Sequence, residues 1–305
     1  FLKHAGNMSL GMLIIDESGQ AVPQSALGAI YRTRRAVVVG DPLQVEPVVT
    51  IPKVLIDILA DSTCVANAYK VIENSVQTFS DNINEFNGMI GERQVGCPLV
   101  VHRRCIEPMF SISNLISYDN RMFNKTNKKE EYLKPENLFL IKKSGWINVE
   151  GEENGGKDHF VKNQAERVCQ LMEDAVHIYS DLFGTDDKIF IITPFRTVAE
   201  SMRKFIISYF SVKGYDKQIL SKWTKNCVGT VHTFQGKDAN EVLLVLGCSN
   251  KSAGAMNWVV KKANILNVAC TRAKYRIAFI GNINDWKNRR YFREFIPSFI
   301  DIINV

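Results

Sequence analysis

The chain has 305 residues, 46% hydrophobic and 10% aromatic, enough to bury one large or two medium α/β cores and too apolar for a disordered segment. Its net charge of +6 permits a nucleic-acid partner without establishing one. Seven scattered cysteines without a C-x-x-C pair disfavour a disulfide framework, a zinc site or an iron–sulfur cluster and suit a reducing, cytoplasmic setting; the absence of any run of 18 apolar residues argues against a membrane span.

In chain order, "FLKHAGNMSL" lacks a starting Met and is too scattered in its apolar residues for a signal peptide, so the chain reads as an internal piece of a longer protein. The apolar run "MLII" (12–15) predicts a strand, followed by a helix near 23–34 and a second strand, "AVVVG" (36–40). Residues 60–97 have weak helical periodicity and polar gaps, and a domain boundary is placed near residue 95. Residues 124–137 are charged and read as a surface loop or hairpin. A helix is expected over about 163–182, its apolar side made by Val168, Leu171, Ala175, Ile178 and Leu182, with Asn163 and Glu166 at capping-box spacing. "KIFIIT" (188–193) predicts a strand, then a helix with Val198, Met202, Phe205, Ile206 and Tyr209 at helical spacing. Three further strands follow, "VGTVHT" (228–233), "EVLLVLG" (241–247) and "RIAFIG" (276–281). Alternation of this kind gives an α/β fold with a mostly parallel sheet.

Five short stretches carry candidate chemistry. Asp16 and Glu17 end a buried strand, where a carboxylate could hold Mg²⁺ and its neighbour could activate water; a helix N-cap is the plain alternative. Gly40-Asp41-Pro42 is a turn signal, and Gln44 just beyond it offers an amide for a terminal phosphate or a lytic water. Arg103 and Arg104 are adjacent, so only one points into a given cleft, unless both are solvated. Gly236 permits close backbone approach to a ligand. Arg272 and Lys274 end a helical stretch before a buried strand, where an Arg could also simply cap the helix.

Taken in this order, the set resembles the later motifs of superfamily 1 helicases, in the branch of the nonsense-mediated-decay RNA helicase and the replication nuclease–helicases. "DESGQA" looks like the family's DEAGQ with Ser18 for Ala, and "GDPLQVEP" like GDxxQLPP with Val45 for Leu and Glu46 for Pro. "VVHRRC" lies where the family has VQYRM, putting Arg104 on its arginine, while His102 and Arg103 replace Gln and Tyr. "ITPFR", "VGTVHTFQGKDANEVLLV" and "LNVACTRAK" resemble the motifs that follow, so the likeness spans about residues 12–281.

The resemblance implies two RecA-like domains with ATP in the cleft between them. Residues 1–95 would be the C-terminal part of the first domain, and residues 96–305 the complete second. Asp16 would hold Mg²⁺, Glu17 would be the general base and Gln44 would contact the γ-phosphate. Arg104 and Arg272 would be arginine fingers, planar cations set against the spreading charge of the γ-phosphoryl group. Gly236 and Asp238 would approach the nucleotide, although the family often has Glu at the latter position. Thr193, Pro194, Phe195, Arg196, Thr230 and His232 would line a track for single-stranded DNA or RNA, with Phe195 either stacking a base or packing beneath its helix. The implied protein is a monomer that moves 5′ to 3′.

A phosphate-binding loop of the form G-x-x-x-x-G-K-[ST] has one near match, "GEENGGKD" at 151–158. Asp158 replaces the required hydroxyl, Glu152 and Glu153 would repel phosphate, and the stretch follows the Asp-Glu corner instead of preceding it. The loop is therefore expected upstream of this chain, which alone should turn over ATP very slowly. One rival is a non-catalytic nucleic-acid-binding module, which retention of Asp16, Glu17, Gln44, Arg104 and Arg272 together opposes. A nuclease fused to a helicase is another, but no nuclease-like carboxylate cluster is present.

Overall fold

The computed structural model describes residues 4–44, 46–66, 70, 74–90, 93–126, 138–155, 158–234 and 236–303. The chain divides into two compact units, Phe1–Leu99 and Val100–Val305, a division slightly later than the sequence suggests.

In the first unit, β1 (Leu10–Ile15) leads through a short 3₁₀ turn into α1 (Pro23–Tyr31). Pro23 sits at the start of that helix, where its fixed φ suits the first turn and its missing N–H costs nothing. The helix stops earlier than expected because Thr33 already opens β2 (Thr33–Val38), its hydroxyl donating back to the Ile30 carbonyl at 3.0 Å. The two strands are parallel, with Ile14 opposite Val37 and Ile15 opposite Val38. Next comes α2 (Lys53–Ser62). The weakly periodic stretch holds α3 (Val76–Ile83), whose first turn is capped by Ser75 Oγ accepting from the Thr78 N–H at 3.1 Å. An antiparallel hairpin of β3 (Gly88–Ile90) and β4 (Arg93–Val95) follows. One face of the β1–β2 ladder is apolar and open: Met12, Ile14 and Val37 are 58%, 68% and 45% exposed.

The second unit opens with β5 (Val101–His102), α4 (Met109–Ser117) and β6 (Phe123–Asn124), then β7 (Gly145–Asn148) and α5 (Lys162–Ile178). The expected capping box is not formed: the N-cap is Val161, Asn163 lies inside the helix, and Glu166 pairs with Lys162 at 3.0 Å. Next are β8 (Ile189–Thr193), α6 (Arg196–Val212) and α7 (Lys217–Cys227), the last a helix that the apolar pattern does not announce. The strand expected over 228–233 is only β9 (Val228–Thr230), because residues 231–234 turn into a 3₁₀ helix. The chain then forms β10 (Ala239–Val245), α8 (Ala253–Val259), α9 (Asn264–Arg272), β11 (Ala273–Gly281), α10 (Ile283–Trp286), α11 (Phe292–Phe299) and β12 (Asp301–Ile302). Six strands make one sheet in the order β12-β7-β11-β10-β8-β9, every neighbour parallel.

Its middle strands are buried along their length, as the continuous apolar runs predict for a sheet covered on both faces. The exception is Glu241, a fully buried carboxylate in β10. It accepts from the Leu140 and Ile141 N–H groups at 2.9 and 2.6 Å and from the Tyr179 hydroxyl at 2.5 Å. Burial nonetheless raises its pKa to about 7. At the other end of the sheet Trp146 stacks on Phe279 and donates its indole N–H to the Gly281 carbonyl at 2.8 Å.

Candidate functional site

The first unit brings its two chemistry-bearing loops to one sheet edge. Parallel register carries both β1 and β2 toward their C-terminal ends together, and the ladder continues past them. The Val39 N–H donates to the Ile15 carbonyl at 2.8 Å, and the Ser18 N–H to the Val39 carbonyl at 3.0 Å. The loops then touch backbone to backbone. A Cβ on Gly40 would lie 2.5 Å from Ser18 Oγ and 2.7 Å from the Gly19 nitrogen, and one on Gly19 would lie 2.7 Å from the Asp41 carbonyl oxygen. Glycine at 19 and at 40 is thus a steric requirement of the edge.

Asp16 and Glu17 project from it, both exposed. Asp16 Oδ1 accepts from the Glu17 N–H at 2.8 Å, and Glu17 Oε2 accepts from Gln20 Nε2 at 2.9 Å. Glu17 has φ 52°, a left-handed conformation that costs a non-glycine residue about 1–3 kcal/mol and tends to mark functional turns. An exposed carboxylate at a strand end, with room for water around it, fits a hard cation such as Mg²⁺. Gln44 is half-buried, its amide donating to Asp41 Oδ2 at 2.9 Å, while Asp41 Oδ1 accepts from the Leu43 N–H.

Behind the edge lies a network that local sequence reasoning does not find. The Ser18 hydroxyl, fully buried, lies 2.8 Å from the Val39 carbonyl and 2.6 Å from Gln77 Oε1, sharing one proton between two acceptors. Gln77 Nε2 donates to Asp81 Oδ1 at 2.8 Å, which also accepts from the Gly96 N–H. Arg93 donates to the Pro42 carbonyl and to the Thr78 hydroxyl, and its burial lowers its pKa. Gln77 and Asp81 sit four apart on α3, a spacing that hints at a shared face but not at the loops it supports.

In the second unit Arg104 is half-buried and makes no hydrogen bond or ion pair among the described residues. The preceding turn is fixed by His102, whose Nε2 accepts from the Cys105 N–H at 2.9 Å and whose ring packs on Phe110. Desolvation, with the neighbouring Arg104 charge, lowers the His102 pKa to about 4, so the imidazole is neutral near pH 7 and can accept that bond. Arg272 is placed quite differently. It is fully buried, and its guanidinium donates to the Lys237 carbonyl at 2.8 Å, to the Val268 carbonyl at 3.3 Å and to the Phe234 carbonyl at 3.4 Å. It therefore ties the end of α9 to the loop that carries Gly236, which has φ 79°, and Asp238, which pairs with Lys274 at 2.6 Å.

The candidate strand-track residues cluster at the C-terminal ends of adjacent strands. Thr193 of β8 lies opposite Thr230 of β9 in the parallel register. Thr193 and Pro194 are buried, Thr230 is half-buried, and Arg196 and His232 are exposed. Arg196 pairs with Glu200 at 2.9 Å. Phe195 is 8% exposed and sits between His159 and Trp258, with ring centroids 4.8 and 5.9 Å away; of its two expected roles, this geometry is that of packing.

Within the near match to a phosphate loop, Gly156 and Lys157 lie outside the described residues. Its flanks are pinned by other contacts. Glu152 pairs with Lys251 at 2.7 Å, Glu153 bridges to Val161, and a Cβ on Gly151 would meet the Val161 side chain at 2.8 Å.

Two family models, each described as an AAA domain, match the chain over residues 2–51 and 85–284. Over 299 residues the chain is 23% identical to the probable helicase senataxin of Mus musculus, covering 96% of this chain and 10% of that protein. An uncharacterized ATP-dependent helicase of Methanocaldococcus jannaschii is also 23% identical, covering 93% and 38%. A regulator of nonsense transcripts 1 homolog of Arabidopsis thaliana is 25% identical, covering 90% and 20%. The chain thus spans between a tenth and two fifths of the length of these relatives.

Proposed function

Because the chain belongs to the AAA domain family, in its superfamily 1 helicase branch, we propose that it is the C-terminal motor portion of an ATP-dependent helicase or translocase acting on single-stranded DNA or RNA. The observation that carries this reading is the β1–β2 register, by which Asp16, Glu17 and Gln44 share one sheet edge. Parallel α/β sheets bind ligands at that edge.

Glu17 takes the proton of the attacking water, and Gln44, steadied by Asp41, orients that water or the γ-phosphate. Mg²⁺, held by Asp16, would supply neutralising charge to the phosphates. Arg104 offers a guanidinium with no described partner to the developing charge, while Arg272 acts first by anchoring the Phe234 and Lys237 carbonyls. Gly236 and Asp238 on that loop approach the nucleotide. The hydroxyls of Thr193 and Thr230 and the exposed Arg196 and His232 meet the strand backbone, with Pro194 and Phe195 forming the floor beneath them. Such contacts do not read sequence.

The phosphate-binding loop is supplied by an upstream part of the same polypeptide, a reading supported by the open apolar face of Met12, Ile14 and Val37. The protein works as a monomer, and its scattered cysteines suit the cytoplasm. The test is nucleic-acid-stimulated ATP hydrolysis by this chain alone and by the chain joined to an upstream region carrying G-x-x-x-x-G-K-[ST]. Stimulated turnover by the joined protein and a very low rate from the chain alone are expected. Motor-like turnover by the chain alone would overturn the assignment of the loop, and an inert joined protein would overturn the motor.

A further inference from the structure

A second cluster, independent of the ATPase groups, lies beyond the C-terminal end of β10. Glu153, His159 and Cys248 come from two separate loops, yet their donor atoms all lie within 4.8 Å of one another. His159 Nδ1 is 3.3 Å from Glu153 Oε2. That separation matches the edge of a tetrahedron with metal–ligand bonds of about 2.0–2.1 Å, as for nitrogen and oxygen on zinc.

The loops are locked together by backbone. The Cys248 N–H donates to the His159 carbonyl at 2.9 Å, and both residues are left-handed, with φ 59° and 58°. Gly247, at φ 62°, makes the approach possible, since a Cβ there would lie 2.7 Å from the His159 carbonyl oxygen. Its own N–H donates to Gln164 Oε1 at 2.9 Å.

The carboxylate is oriented in turn. Glu153 Oε1 accepts from the Ser249 N–H at 2.8 Å, and Oε2 from the Ser252 hydroxyl at 2.9 Å. Outer contacts of this kind aim ligands in metal sites. Cys248 is 2% exposed, and the Glu153 and His159 side chains are 5% and 20% exposed, so the cluster is sheltered with one side reachable.

We infer that Glu153, His159 and Cys248 form a binding site for a divalent transition-metal ion of the zinc type. One sulfur, one nitrogen and one oxygen donor suit such a borderline ion, whereas Mg²⁺ and Ca²⁺ prefer oxygen alone. Three protein ligands leave a fourth position for water. On binding, the Cys248 S–H bond breaks, its proton passes to solvent and the thiolate takes the metal. His159 coordinates through the Nδ1 lone pair with its proton on Nε2. The wide scatter of cysteines concealed the site, because only one of its ligands is a cysteine. The ion would clamp Glu153 and His159 to the end of β10, directly against Phe195, whose ring centroid is 4.8 Å from that of His159.

The test is titration of the metal-free 305-residue chain with Co²⁺, followed by Zn²⁺. One equivalent of Co²⁺ should give a thiolate-to-cobalt charge-transfer band and the visible bands of four-coordinate cobalt, both bleached by Zn²⁺. Cys248→Ser and His159→Ala should abolish the thiolate band, while Cys97→Ser, which alters an exposed thiol outside the cluster, should retain it. X-ray absorption of the zinc-loaded wild-type chain gives an answer that needs no variant. One sulfur with nitrogen and oxygen ligands is expected; no sulfur, or two or more, would overturn the site. Absence of cobalt bands, or their survival in Cys248→Ser, would overturn it as well.

Discussion

Glu17 and Arg272 illustrate how differently two candidate site residues can be held. Glu17 is exposed in a left-handed turn and supports no described core contact, so Glu17→Gln in the full-length protein should leave ATP binding nearly intact and abolish hydrolysis. Nucleotide binding by fluorescence, measured beside steady-state ATPase, checks both halves. Arg272 is built into the interior. Arg272→Ala should lower turnover in the full-length protein by releasing the Phe234 and Lys237 carbonyls that it anchors beside Gly236. It should also cost about 3 kcal/mol or more of stability, because the Lys237, Phe234 and Val268 carbonyls lose a charged donor. Denaturant unfolding run with the kinetics separates the effects; a variant of unchanged stability would contradict the buried network. Glu241 sets a pH dependence. Its pKa rises from 4.5 unfolded to about 7 folded, so the native state holds the proton more tightly. Stability from this group is full below about pH 4.5 and is lost as pH rises through about 7, by about 3 kcal/mol across the window. Glu241→Gln cannot titrate, and unfolding midpoints of the two proteins should diverge over that window.

The strand-end loops of the first unit depend on elements brought from farther along the chain. Gly40→Ala would place a methyl group 2.5 Å from Ser18 Oγ and against the Gly19 nitrogen, forcing the two loops apart. The expected cost is about 1–3 kcal/mol, with loss of ATPase in the full-length protein, read from unfolding and turnover together. Much of this architecture was legible in the residues. "KIFIIT" and "RIAFIG" became parallel strands covered on both faces, as continuous apolar runs require, whereas "MLII" and "AVVVG" paired in parallel but are largely exposed, so the burial expected of their apolar runs is not seen in the first unit. The Asp16–Glu17 and Gln44 positions were legible as strand ends. Gln77 and Asp81 were not, because a polar pair in a weakly periodic helix carries no mark of the loop 59 residues away that it supports. Nor was the burial of Arg272, since its acceptors are backbone carbonyls that no side-chain pattern encodes. The false capping box at Asn163 fails for a related reason: Val161 is already drawn into a bridge with Glu153, so the helix starts one residue before Asn163.

Over the whole molecule, two units of unequal size share one chain. The second has a six-stranded sheet with buried middle strands; the first has a two-stranded ladder with Met12, Ile14 and Val37 open to solvent. An open apolar face of this kind favours association. The isolated chain should therefore self-associate with rising concentration, and Ile14→Thr with Val37→Thr should reduce that tendency in light scattering. Unchanged scattering would mean that another surface drives it.

The strand order of the large sheet also sets a timetable. Among the described residues β7 pairs with β11 and β12 alone, so Trp146 meets its stacking partner Phe279 when about 130 further residues have been added, roughly 7–26 s at ordinary synthesis speeds. During that interval the nascent chain carries an unshielded tryptophan strand, and its safe passage depends on the company it keeps at the ribosome.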